Sequence, residues 1–113
     1  MNGRRLEDGK TTDLDAQLKA LSNPYRRRLL EWLMDPEAHF PKQRDADLVE
    51  DGVCVGFLTE KVGLSQPTVT SHMQKLAQAG FVTPKKIKNW VYYRPNRNRI
   101  EAFLSDLAGR LSQ

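Results

Sequence analysis

Residues 57–80, FLTEKVGLSQPTVTSHMQKLAQAG, constrain the fold more than any other stretch of the chain. Phe57, Leu58 and Val62 put apolar side chains on one face at helical spacing. Gly63 then stops that helix where a left-handed backbone costs least. Leu64 follows as an apolar plug, Ser65 is a good N-cap, and Pro67 is tolerated in the first turn of a second helix. There Val69, Met73 and Leu76 fall at i, i+4 and i+7 and make one buried stripe. Thr68, Thr70, Ser71, Gln74 and Lys75 lie outside the stripe, His72 lies on its border, and Gly80 closes the helix. A bracing helix, a sharp turn and a second helix rich in hydrogen-bonding side chains are the parts of a helix-turn-helix.

The same pattern also suits an ordinary αα-hairpin, so the charge distribution has to decide between them. Solvated helix faces mix Glu with Lys, yet residues 65–80 contain no carboxylate. No Asp or Glu occurs between Glu60 and Glu101, whereas Lys61, Lys75, Lys85, Lys86, Lys88, Arg94, Arg97 and Arg99 do. One-sided charge beside a small-polar helix is the footprint of a phosphate-binding surface. The acids are concentrated elsewhere. Residues 35–51 hold six acids against two bases, and without them the chain's formal +4 becomes +8 on the remainder. The chain thus reads as a basic body with an acidic insert.

Its 113 residues support one domain with one core. The expected organisation is a flexible tail over residues 1–12 and a DNA-binding domain over 13–113, with the acidic insert as a loop over 35–53. A single cysteine, Cys54, excludes an intrachain disulfide and fits a reducing compartment. The N-terminal MNGRRLEDGKTTD lacks the apolar core of a signal peptide. No apolar run approaches the roughly 20 residues of a membrane span. A cytoplasmic protein without membrane contact is expected.

Leu14, Leu18 and Leu21 recur at helical spacing and predict a first helix with a narrow apolar stripe. Asn23-Pro24 signals the start of the next, which carries Leu29, Leu30, Leu33 and Met34 inward. Arg26, Arg27 and Arg28 at its start work against the helix dipole. They suit either phosphate contact or a solvated face with some pairing across a dimer or within the chain. His39 with Asp45 and Asp47 has no recognisable ligand spacing, so neither metal nor cofactor is expected. Residues 53–55, Val-Cys-Val, read as a short extended segment. Phe81-Val82-Thr83 and Trp90-Val91-Tyr92-Tyr93 read as two strands around a basic tip over residues 84–89, the wing of a winged helix. Asn98 with Glu101 predicts the cap of a last helix running to Gln113, which places Ile100, Phe103, Leu104, Leu107 and Leu111 on an apolar face. That face suits the chain's own core or a second subunit.

Taken together, these residues resemble the ArsR-type winged-helix repressors, the family named for arsenical-resistance regulators, from about Leu18 to Arg94. Ala20-Leu21-Ser22-Asn23-Pro24-Tyr25-Arg26, Leu64-Ser65-Gln66-Pro67-Thr68-Val69, Ala79-Gly80-Phe81-Val82 and Trp90-Val91-Tyr92-Tyr93 carry the resemblance. It implies a mainly α winged helix with a β-hairpin wing, a homodimer joined through its first and last helices, and repression at a two-fold operator until a signal releases it. The interface would then use Leu14, Leu18, Ile100, Phe103, Leu104, Leu107 and Leu111. Gln66, Thr68, Thr70, Ser71 and His72 would read bases, and Lys75, Lys85, Lys86 and Lys88 would neutralise phosphates. His72 also suits packing against Met73 and Leu76. Sensing members of the family often carry Cys-Val-Cys before the helix-turn-helix. Here the stretch is Cys54-Val55-Gly56, one thiolate short, so release by a signal other than a metal is expected. The alternatives are a redox- or metal-responsive repressor using Cys54, or a winged helix serving as a protein-interaction module. An enzyme is not expected, because neither histidine nor Cys54 sits in a nucleophile motif.

Overall fold

The computed structural model describes residues 9–112, with side chains from residue 13. Helices α1 (Gly9–Leu21), α2 (Pro24–Met34) and the short α3 (Pro36–His39) come first. Strand β1 (Val53–Cys54), α4 (Val55–Val62) and α5 (Gln66–Gln78) follow. Strands β2 (Val82–Ile87) and β3 (Trp90–Pro95) and helix α6 (Arg97–Leu111) complete the chain. The architecture is the expected winged helix-turn-helix. Of the tail expected over residues 1–12, positions 1–8 lie outside the described residues and 9–12 belong to α1.

The local signals act as their chemistry requires. Asn23 caps α2, its side-chain oxygen accepting from the Tyr25 and Arg26 amides at 2.8 and 3.2 Å, with Pro24 at the first helical position. Gly63 ends α4 at φ 78°, and Ser65 opens α5 by accepting from the Thr68 amide. Leu29, Leu33, Leu58, Val69, Met73, Leu76 and Phe81 are sealed from solvent and form the centre of the core. Phe103 of α6 meets Phe81 edge-on at 5.2 Å between centroids, so α6 closes one side of that core.

The wing differs from its expected form. The sheet is antiparallel in the order β1-β3-β2, with Lys85 opposite Tyr92 and Ile87 opposite Trp90. Its turn is only Lys88-Asn89, so residues 84–87 are strand and not tip. The β-branched and aromatic residues of β3 are long enough to pair with them, and Pro84 is tolerated because β2 is an edge strand. The last helix is capped by Asn96 and not Asn98: Asn96 Oδ1 accepts from the Arg99 amide at 3.2 Å. The Asn96 amide is itself tied to the Phe81 carbonyl at 2.9 Å, a long-range bond that sets the helix start two residues early. Val55 opens α4 and does not extend β1.

The acidic segment is folded. Phe40 is buried and meets Trp32 edge-on, and the Lys61 ammonium sits 5.1 Å from the Trp32 ring centroid. Asp47 Oδ2 accepts from the Val49 and Glu50 amides at 3.0 and 2.8 Å, which winds a tight Asx turn. Gln43 is buried, and its side-chain amide bridges two backbone groups. Its Nε2 donates to the Gly52 carbonyl at 2.9 Å and its Oε1 accepts from the Cys54 amide at 2.8 Å. Gly52 is obligatory there, because it adopts φ 105° and a Cβ would fall 2.5 Å from the Tyr93 carbonyl. Residues 35–53 are thus a folded acidic cap, which Gln43 and Gly52 tie to β1 and β3.

Candidate nucleic-acid interface

Burial of Val69, Met73 and Leu76 fixes the rotation of α5, and the rest of its surface follows. Gln66, Thr68, Ser71, Gln74 and Lys75 are exposed, and Thr70 is half-buried. No carboxylate lies on this helix. The Thr68 hydroxyl is 2.9 Å from Ser65 Oγ, so part of its hydrogen-bonding capacity is used at the N-cap. Ser71 has its hydroxyl on the open face with no such contact among the described residues.

His72 is held at the edge of that face. Its Nδ1 lies 3.1 Å from Arg26 Nη1, and its ring stacks on Tyr25 with centroids 6.1 Å apart and planes 21° from parallel. Burial, and then the charges of Arg26 and Lys75, lower its pKa from the usual 6.5. These contacts of His72 are thus with Arg26 and Tyr25 of α2, and not with the Met73 and Leu76 stripe expected for a packed residue.

The arginine run at the start of α2 divides. Arg26 is only 8% exposed and donates through Nε to the Ala20 carbonyl at 2.7 Å. Arg27 Nη1 donates to the Leu21 carbonyl at 2.6 Å. Both satisfy carbonyls left open at the C-terminus of α1, where a cation also suits the helix dipole. Arg28 is exposed. Arg27 and Arg28 thus lie on a solvated face, with Arg27 paired inside the chain, whereas Arg26 departs from that reading because it is buried.

The wing lysines are exposed on β2 and its turn, but two of them are paired. Lys85 Nζ is 2.6 Å from Asp51 Oδ1, and Lys88 Nζ is 3.3 Å from Asp45 Oδ1. Lys86, on the opposite face of β2, has no ion pair among the described residues. Arg94 adds a bond from Nη1 to the Glu50 carbonyl at 2.9 Å. A sequence free of acids from Lys61 to Ile100 suggested an unopposed basic wing, and the fold brings the acids to it from 34 and 43 residues away. Gln43, Asp45 and Asp51, which organise this contact, carry no local signal of it; the opposite signs of insert and wing were the only hint.

Cys54 is half-buried at the edge of a cleft of about 300 Å³, lined also by Phe57, Trp90 and Tyr92. Among the described residues no group of three or more His, Cys, Asp or Glu is placed to hold a metal ion. Of the expected interface residues, Leu18, Leu104 and Leu111 are exposed (41%, 55% and 77%), whereas Leu14, Ile100 and Leu107 are partly buried against the core. Phe103 is fully committed to the chain's own core. No described helix is long and apolar enough to cross a membrane.

Comparison with known proteins agrees with this geometry. A family model described as winged helix-turn-helix DNA-binding matches residues 58–83, the turn, α5 and the entry to the wing. The uncharacterized HTH-type transcriptional regulator YbzH of Bacillus subtilis is 34% identical over 73% of this chain and 82% of its own length. A putative arsenical resistance operon repressor, ArsR2 of Halobacterium salinarum, is 34% identical over 90% of this chain and 76% of its own. Among solved structures, the homodimeric winged helix-turn-helix domain of Mb0332 from Mycobacterium bovis, a possible ArsR-family regulator, superposes with a TM-score of 0.62. It covers 96% of this chain and 85% of its own at 19% identity, a likeness of fold. With a winged helix-turn-helix core whose α5 is free of acids, and relatives matched along most of both chains, this chain belongs to the ArsR family of DNA-binding transcriptional regulators, which are not enzymes.

Proposed function

We propose that the protein is a homodimeric, sequence-specific repressor that binds a two-fold operator in the cytoplasm and is released by a signal other than a soft metal. The observation that carries this reading is the open face of α5, polar and free of carboxylates, beside a lysine-bearing wing. Gln66, Thr70, Ser71 and His72 would contact base edges, with Thr68 contributing beside its cap. Lys75 and Lys86 would meet phosphates directly, and Lys85 and Lys88 would do so by exchanging their carboxylate partners for phosphate oxygens. Exposed Leu18 on α1 and Leu104 and Leu111 on α6 support pairing of two subunits through these helices. Repression is the role named for the Halobacterium relative, and a homodimer is the state named for the Mycobacterium structure.

The test is a binding titration on DNA from the protein's own upstream region, with wild type and Ser71→Ala. Wild type should discriminate this DNA from unrelated duplex by about 10³-fold or more. Ser71→Ala should lose specific affinity by about fivefold or more, with non-specific binding nearly unchanged. Equal affinity for every duplex would overturn sequence-specific reading. Asp45 and Asp51 of the acidic cap are engaged with the chain's own wing.

A further inference from the structure

Arg26 and His72 are compatible with only one arrangement of protons. A guanidinium carries N–H donors and no acceptor, and it keeps its charge throughout the working pH range. Because Arg26 Nη1 lies 3.1 Å from His72 Nδ1, that nitrogen is the acceptor and the ring's one proton sits on Nε2. The guanidinium is not free to turn away. Its Nε is fixed on the Ala20 carbonyl at 2.7 Å, its Nη2 reaches the Lys19 carbonyl at 3.4 Å, and the residue is 8% exposed. Tyr25 lies nearly parallel to the imidazole, with centroids 6.1 Å apart. One buried arginine therefore ties the end of α1 and the start of α2 to the middle of α5.

We propose that Arg26 is a positioning residue for DNA reading, holding His72 neutral with its proton on Nε2, so that α5 presents a fixed imidazole donor. This rests on the reading of α5 as the base-reading helix. With Nδ1 occupied, His72 offers DNA an N–H and no lone pair. It then suits the acceptors N7 of a purine or O6 of guanine, and it does not suit the amino groups of adenine or cytosine. The charged and titratable groups around the ring reinforce this. Arg26 and Tyr25 come from α2 and Lys75 from α5 itself, and Lys19 of α1 lines one cleft with Arg26 and Lys75. None of these is a carboxylate that would favour the imidazolium.

The pH dependence has a definite sign. Burial first, and then Arg26 and Lys75, hold the folded His72 pKa below 6.5. The stability contributed by the neutral ring is present above 6.5 and is lost as pH falls through the lower folded value. Protonation would set an N–H against the Arg26 donor. A histidine free to charge beside phosphates binds DNA more tightly as pH falls, whereas here acidification should not tighten binding and should weaken it once the pair breaks.

The experiment combines ¹⁵N-histidine NMR of the free protein with operator titrations. The chain has two histidines, so a His39→Gln sample assigns the signals. His72 should show the Nε2–H tautomer at pH 7–8, and Arg26→Met should yield mixed tautomers. Against the operator, His72→Gln, whose amide nitrogen reaches the Nε2 position, should stay within about threefold of wild type. His72→Asn, whose amide stops near Nδ1, should lose about tenfold or more. An Nδ1–H tautomer, or one unchanged in Arg26→Met, would overturn the role of Arg26 whatever the DNA result. A fixed tautomer with wild-type binding by both His72 variants would overturn the reading role while leaving operator binding intact. Failure of wild type itself to prefer the operator would instead overturn the function on which the proposal rests, and the proposal with it.

Discussion

At the residue scale, single side chains act here by completing hydrogen-bond sets left open at helix ends and beside the short strand β1. Arg26 and Arg27 satisfy carbonyls at the end of α1, Asn23 satisfies amides at the start of α2, and Gln43 serves both the Gly52 carbonyl and the Cys54 amide. Cys54, by contrast, has no ligand set around it among the described residues. A closed thiolate site for a soft metal needs about three or four good ligands, and each chain contributes one cysteine. Its half-buried place beside Phe57 and Tyr92 suits a small apolar residue. Cys54→Ser should therefore bind and leave the operator like wild type, and neither zinc, cadmium nor arsenite should release wild-type protein at low micromolar concentration. Metal-driven release that disappears in Cys54→Ser, followed by gel shift, would restore a metal-sensing role.

Between elements, the acidic cap over residues 35–53 and the wing form one electrostatic unit. The hydrogen bond from Lys85, and then the Asp47 backbone, lower the Asp51 pKa from the usual 3.8. The stability this contributes is present above 3.8 and is lost only as pH falls through the lower folded value, so the contact persists at neutral pH. Phosphates must compete with Asp51 for Lys85 and with Asp45 for Lys88. Both pairs are solvent-accessible and each is worth little alone, so the effect on binding is graded. Asp45→Asn with Asp51→Asn should tighten DNA binding about two- to tenfold at low salt, with the gain fading as salt screens the lysines. Fluorescence anisotropy across a salt series measures it. Unchanged or weaker binding would mean that the wing lysines do not meet the backbone.

At the scale of the whole molecule, the proposed dimer rests on apolar side chains that the fold leaves uncovered. Leu104 and Leu111 sit seven residues apart on α6, both exposed, and Leu18 is exposed on α1. Phe103 and Leu107 pack on the chain's own core, so a change at either would confuse folding with assembly. Leu104→Glu is the cleaner test, because it puts a charge at an apolar contact without opening the core. It should melt close to wild type, sediment as a monomer, and lose operator affinity by about a hundredfold or more as the two half-sites cease to be bound together. A dimeric Leu104→Glu protein would place the interface elsewhere.

The sequence by itself determined what depends on neighbours in the chain. The turn at Gly63, the cap at Ser65, the stripe of Val69, Met73 and Leu76, and the strand character of Trp90 to Tyr93 are all written in short-range periodicity and cap chemistry. From them the winged helix and the exposed face of α5 followed directly. Tertiary structure alone decided what depends on partners far apart in sequence. The choice of Asn96 over Asn98 as cap rests on a bond to Phe81, the role of Arg26 on a histidine 46 positions away, and the state of the wing lysines on aspartates 34 and 43 positions away. Both asparagines suit a cap, and a lysine suits phosphate and carboxylate alike. Local chemistry leaves such choices open, and the fold resolves them by setting which groups lie within about 3 Å of each other.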